Sequence, residues 1–393
     1  MADKVKLNHL DSLISRLAAS LRDGSLNQSV LFIGSEGLGK FKIVTELAKV
    51  IFCEKNMAAC GECRDCLEIS KLRHPDFILA FPFPNISPES KKLHIFQFSD
   101  PATSNAKFSE DTREEVERFI KIKTANPYAI LDYEKKENIP VEVIKDIIHA
   151  LAKKPLRGNR RAVGIIDIDK MAFGAGDLFL KTVEEPPLNT HLLMTTSRPD
   201  LLPQTLLSRA LRINVPRADE AQLMELLSEN RGIECKQAAF LSRFAGGSPG
   251  RAVNLEHNEV FERRRQILQY INDIFNSRMG ILLHNLNSNY RSSNISFDEA
   301  KLDFEIIETV VHDLYLIDEN DLEKNIINID IMPELMKLPR IEKEKLDIWM
   351  KCLIETKKAC LVNNVSVNSG MTFLFACYSR ALEEPFRPQF KLP

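Results

Sequence analysis

The sequence predicts an α/β chain: a parallel sheet covered by helices, followed by an all-helical remainder. Three observations predict it. As far as about residue 215, short apolar runs alternate with amphipathic segments, the order of a parallel sheet whose strands are joined by helices. One of those runs opens into a glycine-rich turn, Gly34-Ser35-Glu36-Gly37-Leu38-Gly39-Lys40, with a helical pattern directly after it. From about Pro216 the strand alternation stops and helical periodicity alone continues.

Taken in order, Ser29–Gly34 (SVLFIG) reads as a buried strand, and a helix runs from about Lys40 to Phe52. Residues from about 81 to 138 break the rhythm. They hold Phe81-Pro82-Phe83-Pro84, a Ser/Pro-rich stretch and one helix opened by the capping-box spacing Thr112-x-x-Glu115. This reads as an insertion, either folded onto the domain or projecting from it. Pro140 suits the first position of a helix, where a missing N–H costs nothing, and Val141, Ile144, Ile147, Ile148 and Leu151 then share one face. Ala162–Asp167 (AVGIID) and His191–Thr196 (HLLMTT) are two further apolar strands. Between them Ala175–Glu184 reads as a helix stopped by Pro186 and Pro187. The expected domains are thus 1–215, a P-loop-like α/β core; 216–256, a small helical lid with the run Gly246-Gly247-Ser248-Pro249-Gly250-Arg251; and 257–393, a helical domain.

Composition narrows the function. The 393 residues suffice for two or three domains, and 44% hydrophobic with 27% charged residues is a globular profile rather than a disordered one. No apolar run reaches the eighteen residues a bilayer span needs, and the N-terminus lacks a signal-peptide core. The expected location is the cytoplasm, with no membrane partner. A net charge of −2 excludes a strongly basic, self-sufficient nucleic-acid binder and leaves any DNA contact local or shared.

The Gly34–Lys40 turn matches the phosphate-loop frame G-x-x-x-x-G-K. Its glycines let backbone N–H groups wrap a phosphate at a helix N-terminus, and the lysine reaches the terminal phosphates. The next position should offer a hydroxyl to Mg²⁺, and Phe41 has none. The strand 162–167 ends in Asp167-Ile168-Asp169. Asp167 stands where a metal-holding carboxylate belongs, but Ile168 replaces the glutamate that activates water, and Asp169 would face the other way if the strand continued. Two separate supports of phosphoryl transfer are therefore missing, which predicts a chain without hydrolysis and leaves ATP and Mg²⁺ binding open. The alternative is a glycine turn that only joins a strand to a helix.

Cys53, Cys60, Cys63 and Cys66 fall in one short stretch, whereas the remaining four cysteines are scattered. Four thiols with two overlapping C-x-x-C steps predict a closed structural zinc site; the alternatives are a redox pair, which would need only two of them, or an accidental cluster.

With these residues in hand, the sequence resembles the clamp-loader family of AAA+ proteins. The phosphate loop, the four cysteines after its helix, His74-Pro75-Asp76, the Asp167 strand and Leu180-Lys181-Thr182-Val183-Glu184-Glu185-Pro186-Pro187 follow the family's order. So do Thr195-Thr196-Ser197-Arg198-Pro199-Asp200 and Leu207-Ser208-Arg209-Ala210, so that the resemblance covers about residues 8 to 255. Ala210 stands where the family has cysteine, Asp177 where it has asparagine, and the 81–138 insertion is longer than usual. The resemblance implies an AAA+ core, lid and collar, the last joining subunits into a ring. It implies that Arg209 reaches toward ATP on a neighbouring subunit, against the plainer reading of an exposed charge at a helix end. Gly34, Gly39, Lys40, Asp167, Thr196 and Arg251 would line a degenerate nucleotide site, with Arg251 either a nucleotide sensor or a plain helix-start arginine. Implied partners are ATPase subunits of the gamma/tau type, a delta subunit, the sliding clamp and primer–template DNA. Two competing functions are an active motor ATPase of the same family and a zinc-stabilised interaction protein outside replication.

Overall fold

The computed structural model describes residues 7–55, 59–84, 110–131, 137–172, 174–291, 295–317 and 322–383. The chain divides into two compact units, Met1–Gly232 with Ala245–Asn254, and Ile233–Phe244 with Leu255–Pro393.

The first unit contains α1 (Asp11–Arg22), β1 (Ser29–Ile33), α2 (Lys40–Phe52), α3 (Arg64–Ser70), β2 (Phe77–Ala80), β3 (Phe83–Pro84), α4 (Glu110–Ala125), β4 (Glu137–Asn138) and α5 (Val141–Leu151). It continues with β5 (Arg161–Ile165), α6 (Ala175–Glu184), β6 (Thr190–Thr196), α7 (Gln204–Leu207), β7 (Leu211–Asn214) and α8 (Glu220–Arg231). Five strands pair in the order β2-β5-β6-β1-β7, all parallel. Val30, Leu31 and Phe32 of the inner strand β1 have no solvent exposure, as a strand covered on both faces requires. A Cβ at Gly164 would stand 2.9 Å from a Leu79 methyl and 3.1 Å from a Val44 methyl, so glycine lets α2 settle on β5. The register Ile33↔Thr196 and Ile165↔Met194 brings the carboxyl ends of β1, β6 and β5 side by side, where open parallel sheets place their sites.

α2 and α6 have the bounds expected. α6 buries Ala175, Phe179 and Val183, four residues apart on one face. α5 differs by one position: Pro140 is the N-cap, with ψ 152°, and Val141 begins the helix. The ring's fixed φ, here −62°, is compatible with the extended cap as well as with the first turn.

The described parts of the insertion fold onto the sheet domain. β3 and β4 tie its ends together in a short antiparallel ladder, and Val116 and Phe119 of α4 join the core. α4 begins at Glu110, so Thr112 lies inside the helix rather than at its cap; the Thr112 side chain lies outside the described residues. A second departure concerns Asp169. β5 stops at Ile165, Asp167 takes a left-handed φ of 51°, and Ile168–Lys170 form a 3₁₀ turn, so the expected strand continuation does not occur.

The segment expected as a lid is shared between the units: α8 and α10 (Pro249–Asn254) group with the first, and α9 (Cys235–Phe244) with the second. The second unit is helical throughout its described residues. It adds α11 (His257–Phe275), α12 (Met279–Asn289), α13 (Phe297–Leu316), α14 (Leu322–Asn325), α15 (Met332–Leu335), α16 (Lys343–Leu361) and α17 (Val367–Glu383). Ser296 and Glu299 form a reciprocal capping box that starts α13. Trp349 stacks on Tyr378 at 4.2 Å and donates its indole N–H to the Tyr378 carbonyl, joining α16 to α17. The Arg264 guanidinium lies over the Phe240 ring at 3.8 Å while pairing with Asp330, which lets a buried charge keep its partners. Among the described residues no helix is long and apolar enough to cross a membrane.

Candidate functional site

The loop between β1 and α2 has the backbone of a phosphate loop. Gly37 and Gly39 take φ of 75° and 90°, and Gly39 is the N-cap of α2, as the glycine spacing requires. Lys40 is only 7% exposed, and its ammonium donates to the Gly34 and Ser35 carbonyls at 2.6 and 2.9 Å. Burial pulls its pKa down, against Asp167, Glu36 and Asp169, which support the charge. Phe41, at the position where a magnesium-binding hydroxyl belongs, is 5% exposed and packs edge-on against Phe119 at 5.8 Å. Phe119 in turn stacks on Phe81 at 3.6 Å. The aromatic side chain has therefore recruited the insertion.

Beside the loop, the Asp167 N–H donates to Thr195 Oγ1 at 2.9 Å, and Thr196 Oγ1 donates to Asp169 Oδ1 at 2.6 Å. The left-handed turn at Asp167 is what carries Asp169 to Thr196. Asp169 then has its pKa raised, mainly by burial, with the Thr196 hydroxyl opposing. Thr196 Oγ1 also accepts the Arg198 N–H, so its hydroxyl is committed to protein groups. Arg251 meets the loop through its backbone: its N–H reaches Ser248 Oγ at 3.3 Å, Ser248 donates to the Glu36 carbonyl, and Gly250 N–H donates to Gly37 O. Of the expected residues, Gly34, Gly39, Lys40, Asp167 and Thr196 converge at the strand ends, and Arg251 abuts the loop from α10.

Sequence reasoning missed the insertion's share in this site. The cavity over the loop is lined by Lys40, Phe41 and Asp167, but also by Phe119, Lys123, Tyr128 and Glu137. The available signal was the apolar residues that run through the insertion's helix and the turn after it, among them Val116, Phe119, Ile120 and Tyr128. The residues present do not fit a magnesium-bound nucleotide. The metal's hydroxyl is replaced by a packed phenyl ring, and Tyr128 lies directly against Gly39, where a Cβ would come within 2.5 Å of its ring.

Arg209 follows α7 and is partly exposed. Its Nε donates to Glu184 Oε2 at 2.8 Å, at the C-terminus of α6, and Nη1 donates to the Thr205 carbonyl. Such an exposed pair is worth little, up to about 1 kcal/mol, and yields readily to a stronger anion. Ala210 beside it is buried, so a small side chain suits that position.

At the other end of α2, Cys53, Cys60, Cys63 and Cys66 bring their sulfur atoms within 4.8 Å of one another. A tetrahedral thiolate–zinc site, with bonds near 2.3 Å, needs sulfurs about 3.8 Å apart. Cys63 caps α3, and N–H···S bonds run from Cys63 to Cys60 and from Cys66 to Cys63. Backbone N–H groups of Glu62 and Cys63 draw the Cys60 thiol down to about 6. The donor set and its spacing fit a metal such as zinc. Around α3, Arg157 bonds to both Asp65 and Glu68, and Asp65 faces the buried His74. Asp76 accepts the Leu156 and Arg157 N–H groups at 2.6 Å each, which gives the His74-Pro75-Asp76 motif a bracing role.

With this geometry established, a family model and several curated relatives point to one group. A family model described as DNA polymerase III, delta subunit, matches residues 10–219. The Haemophilus influenzae DNA polymerase III subunit tau/gamma is 26% identical over 288 residues, 72% of this chain and 33% of that protein. The Escherichia coli DNA polymerase III subunit delta' is 22% identical over 258 residues, covering 65% of this chain and 62% of the relative. The Bacillus subtilis delta' is 23% identical over 281 residues, covering 70% and 68%. The match thus spans about a third of the tau-type relative and roughly two thirds of the delta' relatives.

Proposed function

Because the chain belongs to the DNA polymerase III delta-subunit family of clamp-loader proteins, we propose that it is the non-hydrolysing, delta'-type subunit of that loader. In this reading it completes the ring and offers Arg209 to ATP on a neighbouring gamma/tau-type subunit, while the assembly, with a delta subunit, places the sliding clamp on primer–template DNA. The observation that carries the reading is Phe41: a buried phenyl ring stands where catalysis needs a metal-binding hydroxyl. Ile168, 1% exposed, adds the loss of a water-activating carboxylate.

Arg209 suits a finger chemically. A guanidinium keeps its charge and matches phosphate oxygens, and the Glu184 pair holds it near the surface without sequestering it. The lid at 216–256 and the collar at 257–393 belong to the same proposal, as does a structural zinc ion held by Cys53, Cys60, Cys63 and Cys66. The zinc would fix α3 to the end of α2 and leave no open coordination position.

A motor reading has one observation in its favour: tau/gamma relatives match at identities as high as those of the delta' relatives. Phe41 and Ile168 weigh against it. The test is ATP hydrolysis by the purified chain, alone and mixed with its cognate ATPase subunits. The expected result is silence alone, stimulation in the mixture, and loss of about 10³-fold or more at the affected site with Arg209→Ala. Turnover by the isolated chain that disappears with Lys40→Ala would establish the motor instead.

A further inference from the structure

We infer that the end of α4 and the turn after it are the phosphate loop's own resident occupant, with the Lys123 ammonium supplying the positive charge beside Asp167 that a metal supplies in a working loop. Three observations carry this.

The first is charge. The groups lining the cavity include three carboxylates, Glu36, Glu137 and Asp167, and three ammonium groups, Lys40, Lys123 and Lys170. The set is balanced without a ligand, whereas a site for a polyphosphate needs surplus positive charge. Each ammonium is already bonded: Lys40 to two loop carbonyls, Lys123 to the Ala129 carbonyl at 2.6 Å, and Lys170 to Glu137. Lys123 is partly buried, and burial draws its pKa down against the supporting charges of Asp167 and Glu36.

The second is contact. Lys123 Nζ lies 5.3 Å from the centre of the Phe41 ring, so the residue that removed the metal ligand also seats the replacement cation. The third is rigidity. Asn126 Oδ1 accepts the Tyr128 N–H and Asn126 O accepts the Ala129 N–H, closing a tight turn. Tyr128 is 1% exposed, and its carbonyl approaches within 2.0 Å of where a Cβ on Gly250 would stand. The turn is a packed part of the fold.

The inference goes beyond the proposed ring role, which requires only that hydrolysis be absent. The experiment uses the full zinc-replete chain, with Mg²⁺ alone and Mg²⁺ with ATP as probes, reading melting temperature and amide exchange of residues 126–131. For the unaltered chain neither probe should move the melting temperature or the exchange. Lys123→Met should melt roughly 2–4 °C higher with millimolar Mg²⁺ than without it, because the carboxylates then lack a counter-charge. Lys123→Arg should behave as the unaltered chain does. Stabilisation of the unaltered chain by Mg²⁺ and ATP, with faster exchange at 126–131, would overturn the inference. So would a Lys123→Met chain indifferent to Mg²⁺. If Lys123→Met fails to fold, the exchange measurement on the unaltered chain still decides. A subunit that bound ATP without hydrolysing it would sink this inference and leave the Arg209 role intact.

Discussion

The two ends of α2 carry sites of opposite kind. At its N-terminus the phosphate loop meets protein groups: loop carbonyls accept from Lys40, Glu137 pairs with Lys170, and Asp169 accepts from the Thr196 hydroxyl. At its C-terminus four thiols gather with backbone N–H groups and one another as company. In the reading proposed above, one motif has lost the chemistry of its ligand and been filled with protein. The other keeps a four-thiol donor set whose spacing fits a metal. The difference teaches that a sequence motif reports ancestry, while the surrounding side chains report whether its ligand is still expected.

Stripping the metal should sharpen the contrast most. Structural zinc contributes on the order of 10 kcal/mol to small modules, so chelation, or Cys63→Ala, should abolish zinc binding and melt the 53–70 region. One zinc per chain by elemental analysis is the expected count; a chain that binds none and melts unchanged would remove the difference between the two ends. Next in size is Phe41→Ala, expected to cost about 3–5 kcal/mol through the lost Phe119 contact, read by urea unfolding. Phe41→Ser should likewise destabilise and yield no ATPase, because Ile168 still lacks a carboxylate. Hydrolysis restored by that single change would break the comparison.

Asp76→Ala should cost about 2–4 kcal/mol, since the Leu156 and Arg157 N–H groups lose a charged acceptor. Its effect belongs to the metal end, so zinc affinity should fall while the phosphate loop is undisturbed. The smallest effect is on pH dependence. Burial lowers Lys123 to about 8 from an ordinary value of 10.5. Between those values the unfolded chain holds more protons than the folded one, so this group makes stability rise with pH over that range. Lys40, also lowered by burial, acts in the same direction, while Asp167, Glu36 and Lys170 set the local field. Unfolding of Lys123→Met in urea should show a shallower rise than the unaltered chain from pH 8 to 10.5.

The elements that were legible in the sequence are those whose cause is local. β1 is a run of apolar residues ending at a glycine, α2 begins after Gly39, and α6 ends before two prolines, so neighbouring residues decide each boundary. The turn at Asp167 was not legible. Its left-handed conformation is compensated by the Thr195 hydroxyl, which comes from another strand. The insertion's part in the site was hidden for the same reason. Phe41 and Phe119, which touch, and Lys123 and Asp167, which line one cavity, are far apart in sequence and come together only once the sheet has formed. Family resemblance supplied Arg209 and could not have supplied Glu184 as its resting partner, which depends on how α6 and α7 are juxtaposed.

α2 has thirteen residues and so a length of about 20 Å, with Lys40 at one end and Cys53 immediately past the other. Each residue of such a helix advances the chain by about 1.5 Å and turns it through about 100°. Removing a single codon from its middle would therefore swing Cys53 away from Cys60, Cys63 and Cys66, or else swing Lys40 away from the loop. Point substitutions along the helix can be absorbed one at a time, but its length cannot drift. Across evolutionary time this segment should accept changes of letter and refuse changes of number.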